Sequence, residues 1–193
     1  MILRIALLFL VLRYSSVHAQ ISDSEMETLK TKWRVELRER WHELSQHPER
    51  EGGASDYSER ETGASDFSDS IRRRFLEDTF IADNLRQKQL DKEATTLGIN
   101  KANLACASEY EKLVEIYFNI LLSKMKDKDK DLVISSQKDW KSLMEKERAL
   151  AGKLMQEEYS GGGSLHSIEY TERLMNQQKN RLLTLINYLT HLI

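Results

Sequence analysis

The chain reads as an all-α protein, an antiparallel helical bundle or hairpin with an extra amphipathic helix on its N-terminal side. Three observations predict this. Pro48 is the sole proline in 193 residues. From Ala64 to Ser160 the only glycines are Gly98 and Gly152. Charged residues make up 31% of the chain and aromatics 8%, a composition that favours helix over sheet.

Residues 1–19, MILRIALLFLVLRYSSVHA, stand apart from the fold. Arg4 precedes an apolar run from Ile5 to Leu12, and Val17-His18-Ala19 presents the compact residues a signal-peptidase cleft accepts. The run is too short to cross a bilayer, which needs about 20 apolar residues. We read a signal peptide cut after Ala19, hence a periplasmic or secreted protein with no stable membrane insertion after cleavage. From Gln20 onward 27 basic side chains stand against 31 acidic ones. That balance excludes nucleic acid as a partner, because a nucleic-acid footprint needs clustered positive charge.

Residues 20–47 hold the N-terminal amphipathic helix. Ser22 and Glu25 have capping-box spacing. Met26, Leu29, Trp33, Leu37, Trp41 and Leu44 then recur every three or four residues, and Pro48 ends the helix. The two tryptophans on this stripe read as core anchors. Residues 48–69 are a linker containing a ten-residue repeat, EREGGASDYS followed by ERETGASDFS. Two copies are too few for a solenoid, and small polar and charged residues dominate them.

Residues 70–193 form the helical domain. Its first helix starts near Asp69 or Ser70 and runs to about Glu93, with Ile71, Phe75, Ile81, Leu85 and Leu90 as its stripe. Thr95 to Gly98 breaks it, and Asn100 is placed to cap the next. That helix, about Lys101 to Lys126, carries Leu104, Leu113, Ile116, Tyr117, Ile120 and Leu121 on one side. The charged run KMKDKDKD reads as a solvated turn, since lysines between aspartates repel a cation. A helix from Asp131 to about Glu158 follows, with Leu132, Trp140, Leu143, Met144, Leu150, Leu154 and Met155 as its apolar face. The last helix starts at Ser164 or Leu165 and turns Ile168, Leu174, Leu182, Leu185, Ile186 and Leu189 inward. Helices joined by short turns pack antiparallel.

Between the last two helices stands YSGGGSLHS, Tyr159 to Ser167. A phosphate loop would need a lysine after the glycines and a strand before them. Neither is present. Gly161, Gly162 and Gly163 instead supply the positive φ that a tight reversal needs, and Ser164 can cap the next helix.

The order Cys106 with Tyr117, then Gln137-x-x-Trp140, then Gly-Gly-Ser, then Arg181-Leu182 resembles the lysozyme inhibitor LprI N-terminal-like family of exported bacterial helical domains. The resemblance covers about residues 95–189, through ANLACASEYEKLVEIYFNILLSKM, SSQKDWKSLMEKE and GGGS. It implies a binding module acting on lysozyme or another cell-wall hydrolase. Cys106, Tyr117, Gln137 and Trp140 would be structural, and we place the partner contact at Gly161, Gly162, Gly163, Ser164 and His166. Met144 and Glu145 stand where the family has Arg followed by an acid, and its later cysteines have no counterpart here. With Cys106 as the one cysteine, no internal disulfide forms, so burial is the preferred reading of that thiol. The alternative function is a structural or interaction protein of the cell envelope, working through the tryptophan-bearing N-terminal helix.

No catalytic constellation, metal site or cofactor motif stands out. His42 and His47 are five apart rather than the four that let two imidazoles share a metal on a helix. His166 and His191 read as solvated, and Ser164 near His166 lacks a nucleophile elbow. We therefore expect no enzyme and no cofactor.

Overall fold

Buried positions recur at heptad spacing along three of the helices, and those three make the core. The computed structural model describes residues 21–46, 64–162 and 165–192. Its elements are α1 (Asp23–Gln46), α2 (Ala64–Lys92), α3 (Thr96–Lys124), α4 (Asp127–Leu154), the single turn α5 (Glu157–Ser160) and α6 (Leu165–His191). The described chain is all-α, as predicted. The proposed signal peptide and the first repeat copy lie outside the described residues.

On α3 the inward positions are Asn103, Cys106, Tyr110, Val114, Tyr117 and Leu121. On α6 they are Thr171, Met175, Gln178, Leu182, Leu185 and Leu189. Steps of three and four keep each row on one helix face, the arrangement of a coiled-coil seam. Ile71, Ala82 and Leu85 of α2 close the third side, and Phe75 meets Tyr117 edge-on at 6.1 Å. Partners on α3 and α6 keep a constant offset. Asn100 bonds Ser167 at 2.9 Å and Asn103 bonds Thr171 at 3.1 Å, while Lys179 lies over the Tyr110 ring at 4.9 Å. Helices α3 and α6 therefore run parallel. Helix α2 opposes both, since Arg86 pairs with Asn103 and Asp78 with Tyr117.

Helix α3 begins earlier than predicted. Thr95 is its cap, accepting the Gly98 amide at 3.1 Å, whereas Asn100 lies within the helix and turns to α6. Gly98 is required by close approach: a Cβ there would lie 2.2 Å from the Glu93 carbonyl oxygen. Helix α2 also begins earlier, at Ala64, so the predicted linker gives up its last residues to it. Phe67 of the second repeat copy packs against the core under Lys124, 4.5 Å away.

The main correction concerns α4. It starts at Asp127 inside the charged run and ends at Leu154. Only Gln137 and Ala151 of this helix are buried. The predicted inward residues Leu132, Leu143, Leu150 and Leu154 are exposed, and on α3 so are Leu104 and Ile116. Helix α4 is attached through Val133, Trp140 and Gln137, and its leucines face elsewhere.

Helix α1 lies along α2, from Glu25 beside Lys92 to Trp41 under Arg73, and reaches α3 through Lys30. Ser22 caps it through the Glu25 amide at 3.2 Å, and Trp33 and Trp41 are half-buried rather than core. Its anchor is Lys30, buried and 2.8 Å from Glu109 of α3. Burial alone would raise the Glu109 carboxyl, but hydrogen bonds from Lys112 and Lys30 outweigh it and hold the group below its ordinary range. A depressed carboxylate stabilises the fold above its unfolded pKa and loses that contribution as pH falls through the folded value. Glu109→Gln should therefore cost about 1–2 kcal/mol at neutral pH. The variant should also show a flatter loss of melting temperature between about pH 5 and pH 3 than the parent. Thermal melts followed by circular dichroism across that range check both.

Candidate partner-binding site

The reversal between α4 and α6 is built from the residues that end one helix and permit another. Met155 and Gln156 leave α4, and α5 adds one turn before the glycines. The sequence predicted one continuous helix to Glu158, so the break is a further correction. Gly161 caps α5 with φ of 68°, its amide bonded to the Glu157 carbonyl at 2.9 Å. Gly162 follows at φ of 78° and donates to the Ser160 hydroxyl at 3.2 Å. These are left-handed conformations that side chains resist, so the predicted role of both glycines holds. Gly163 and Ser164 lie outside the described residues.

Around the turn, apolar side chains stand in solvent beside carboxylates. Tyr159 is 60% exposed and Leu165 64% exposed. The α3–α6 offset brings exposed Leu97 to the level of Leu165. Glu157, Glu158, Glu169 and Glu172 are all exposed nearby. Lys153 binds Glu158 at 2.8 Å and lies 5.5 Å from the Tyr159 ring centroid, which fixes one side of the rim. His166 is exposed in the first turn of α6, 3.4 Å from Glu169.

The other predicted residues lie deeper and do not join this surface. Cys106 is buried, its Sγ 3.7 Å from the Ala82 carbonyl oxygen, and burial pushes the thiol up to about 12. Such a thiol stays protonated and unreactive at neutral pH. Tyr117 is fully buried and donates to Asp78 at 3.3 Å. Burial and the nearby Asp78 carboxylate push its phenol up. Gln137 and Trp140 do meet: Arg181 donates to the Gln137 side-chain oxygen at 2.9 and 2.7 Å and lies 5.4 Å from the Trp140 ring centroid. This clamp ties α4 to α6. Beside it, Gln137 Nε2 and Gln178 Oε1 are buried with no hydrogen-bond partner among the described residues.

Two polar clusters escaped the sequence reading. One joins Asn100, Asn103, Thr171, Ser167 and Arg86. The second centres on Asp83, which accepts from Tyr110 at 3.1 Å and from Lys179 at 2.6 Å. Heptad spacing was the signal available, but polar residues were not counted as inward positions. Among the described residues, no group of three or more His, Cys, Asp or Glu could hold a metal ion. No described helix is long and apolar enough to cross a membrane. Comparison with protein-family models, curated proteins and solved structures gives no match.

The glycines can be separated by substitution. A Cβ at Gly161 meets nothing within 4 Å, so the penalty there is purely backbone. Gly161→Ala should cost about 1–2 kcal/mol for the left-handed conformation. Gly152 is helical with equally open space, so Gly152→Ala should stabilise by about 0.5–1 kcal/mol. Opposite shifts of melting temperature in the two variants are the expected result.

Proposed function

We propose that the mature chain is an exported, non-enzymatic binding module that docks a protein through the glycine-turn end of its bundle. The partner we assign is a basic cell-wall hydrolase such as lysozyme. One observation carries this reading: Tyr159 and Leu165 on either side of the glycine turn, and Leu97 level with Leu165 on α3, are exposed, and so are Glu157, Glu158, Glu169 and Glu172 on the adjoining turns. Aromatic and apolar anchors inside a charged rim are how protein interfaces combine affinity with steering. An acidic rim accelerates encounter with a basic enzyme. The resemblance of the Cys106, Gln137-x-x-Trp140 and Gly-Gly-Ser order to LprI-type inhibitors supports the choice of partner. The signal-peptide reading of residues 1–19 supports a periplasmic or secreted location.

Mature protein at micromolar concentration should slow the clearing of a cell-wall suspension by at least one lysozyme of a panel. Added salt should weaken the effect, because exposed charges are screened over about 8 Å at physiological ionic strength. Tyr159→Ala combined with Leu165→Ala should reduce inhibition about tenfold or more while leaving the melting temperature nearly unchanged. If no lysozyme is slowed by folded protein, the hydrolase reading fails and the envelope-interaction reading replaces it.

A further inference from the structure

The exposed leucines of α4 are not scattered. Leu132, Leu143, Leu150 and Leu154 are 71%, 52%, 54% and 49% exposed. At roughly 100° per residue they fall within about 40° of arc on one side of the helix. The side that carries Gln137, Trp140 and Ala151 to the bundle is centred about 90° round the helix, so the leucine stripe flanks it. So broad an apolar surface needs a second partner, and none among the described residues covers the leucine stripe.

The pattern along this face is self-complementary. Leu143 lies midway between Leu132 and Leu154 in sequence. An antiparallel copy of α4 centred on Leu143 therefore sets Leu132 against Leu154 of the second copy, and Leu143 against itself. Charges flanking the stripe obey the same symmetry. Asp139 and Lys146 lie on one edge of it, nearly equidistant from the centre and of opposite sign. Both are exposed, and neither has an ion-pair partner among the described residues. Across a two-fold axis, residues on the same edge of the seam meet. Asp139 would then face Lys146 of the second copy, and Lys146 its Asp139. Leu150 alone breaks the pattern, meeting Ser136 of the second copy. A heterologous partner gives no reason for the other three leucines and the charged pair to be symmetric about one residue.

We infer that the chain forms an isologous homodimer through antiparallel pairing of α4, with the two-fold axis at Leu143. Each copy contributes its leucine stripe, and two reciprocal Asp139–Lys146 ion pairs fix the direction and register of the seam. The dimer seam and the glycine turn are separate surfaces, so this inference does not rest on the proposed partner.

Sedimentation of the folded chain over a concentration series is the test. The parent should approach twice the monomer mass as concentration rises. Leu143→Glu sets two like charges together at the axis and should weaken the dimer at least about tenfold, with helical content and melting of the bundle retained. Asp139→Lys should also weaken it, by apposing two lysines. Adding Lys146→Asp to that variant should restore association, because the swapped pair is complementary again. A parent that stays monomeric at every concentration overturns the inference. So does a dimer indifferent to Leu143→Glu, or a swap that fails to restore the Asp139→Lys variant.

Discussion

The parallel pairing of α3 and α6 is the constraint on which the rest of the structure depends. Consecutive helices joined by short turns run antiparallel, so two parallel helices can be neighbours only if something returns the chain between them. Helix α4 is that return. It must match α3 in length, yet the seam it serves is already closed by α2 on the opposite side. Its attachment is consequently local, concentrated where Arg181 clamps Gln137 and Trp140. The break at Met155, the short α5 and the two left-handed glycines are the rest of the same solution, because α6 must restart beside α3 at a fixed offset.

Polar groups inside the seam set that offset. An all-leucine seam could slide by a heptad at small cost, whereas Asn103 against Thr171, and Lys179 against Asp83 and Tyr110, are satisfied in one register only. The groups are not free of cost. Burial, only partly countered by Arg74, Tyr117 and Arg34, leaves the Asp78 carboxyl above its ordinary value. The charged form is thus disfavoured by its surroundings even though Tyr117 donates to it. Burial likewise lowers Arg181 from its usual range. Such groups trade stability for a unique alignment of three helices whose apolar residues alone do not distinguish neighbouring registers.

Legibility in the sequence followed the same physics. The second half of α6 was legible because Leu182, Leu185, Ile186 and Leu189 coincide with the buried row, and α2 likewise through Ile71, Ile81 and Leu85. In the first half of α6 Thr171 and Met175 are buried, whereas the predicted Ile168 and Leu174 are half-buried. Helix α3 was half misread. Leu104 and Ile116 belong to the inward row by hydropathy yet are exposed, whereas Asn103 and Tyr110 are buried because their polar atoms find partners across the seam. Helix α4 shows the sharper limit. Its leucine periodicity is real, but a period says that residues share a face, not what the face meets. The glycine turn was legible in Gly161 and Gly162 because positive φ is a backbone property written in one residue type. The exposed rim of Tyr159 and Leu165 was not, since exposure is decided by the neighbours α6 acquires only after folding.

The two proposed surfaces differ in what they could do together. At 1.5 Å per residue, Leu154 lies about 16 Å along α4 from the Leu143 axis. Antiparallel pairing about that axis carries the two glycine turns to opposite ends of the dimer, more than about 30 Å apart by the same rise. Two turns so placed cannot close on one small enzyme. They can hold one partner each, or bridge two partners fixed on a surface, where linking two sites raises avidity without any new contact. A monomer would engage a freely diffusing hydrolase equally well per site. Pairing through α4 would therefore matter most where the partner is itself immobilised, as a hydrolase bound to cell wall is.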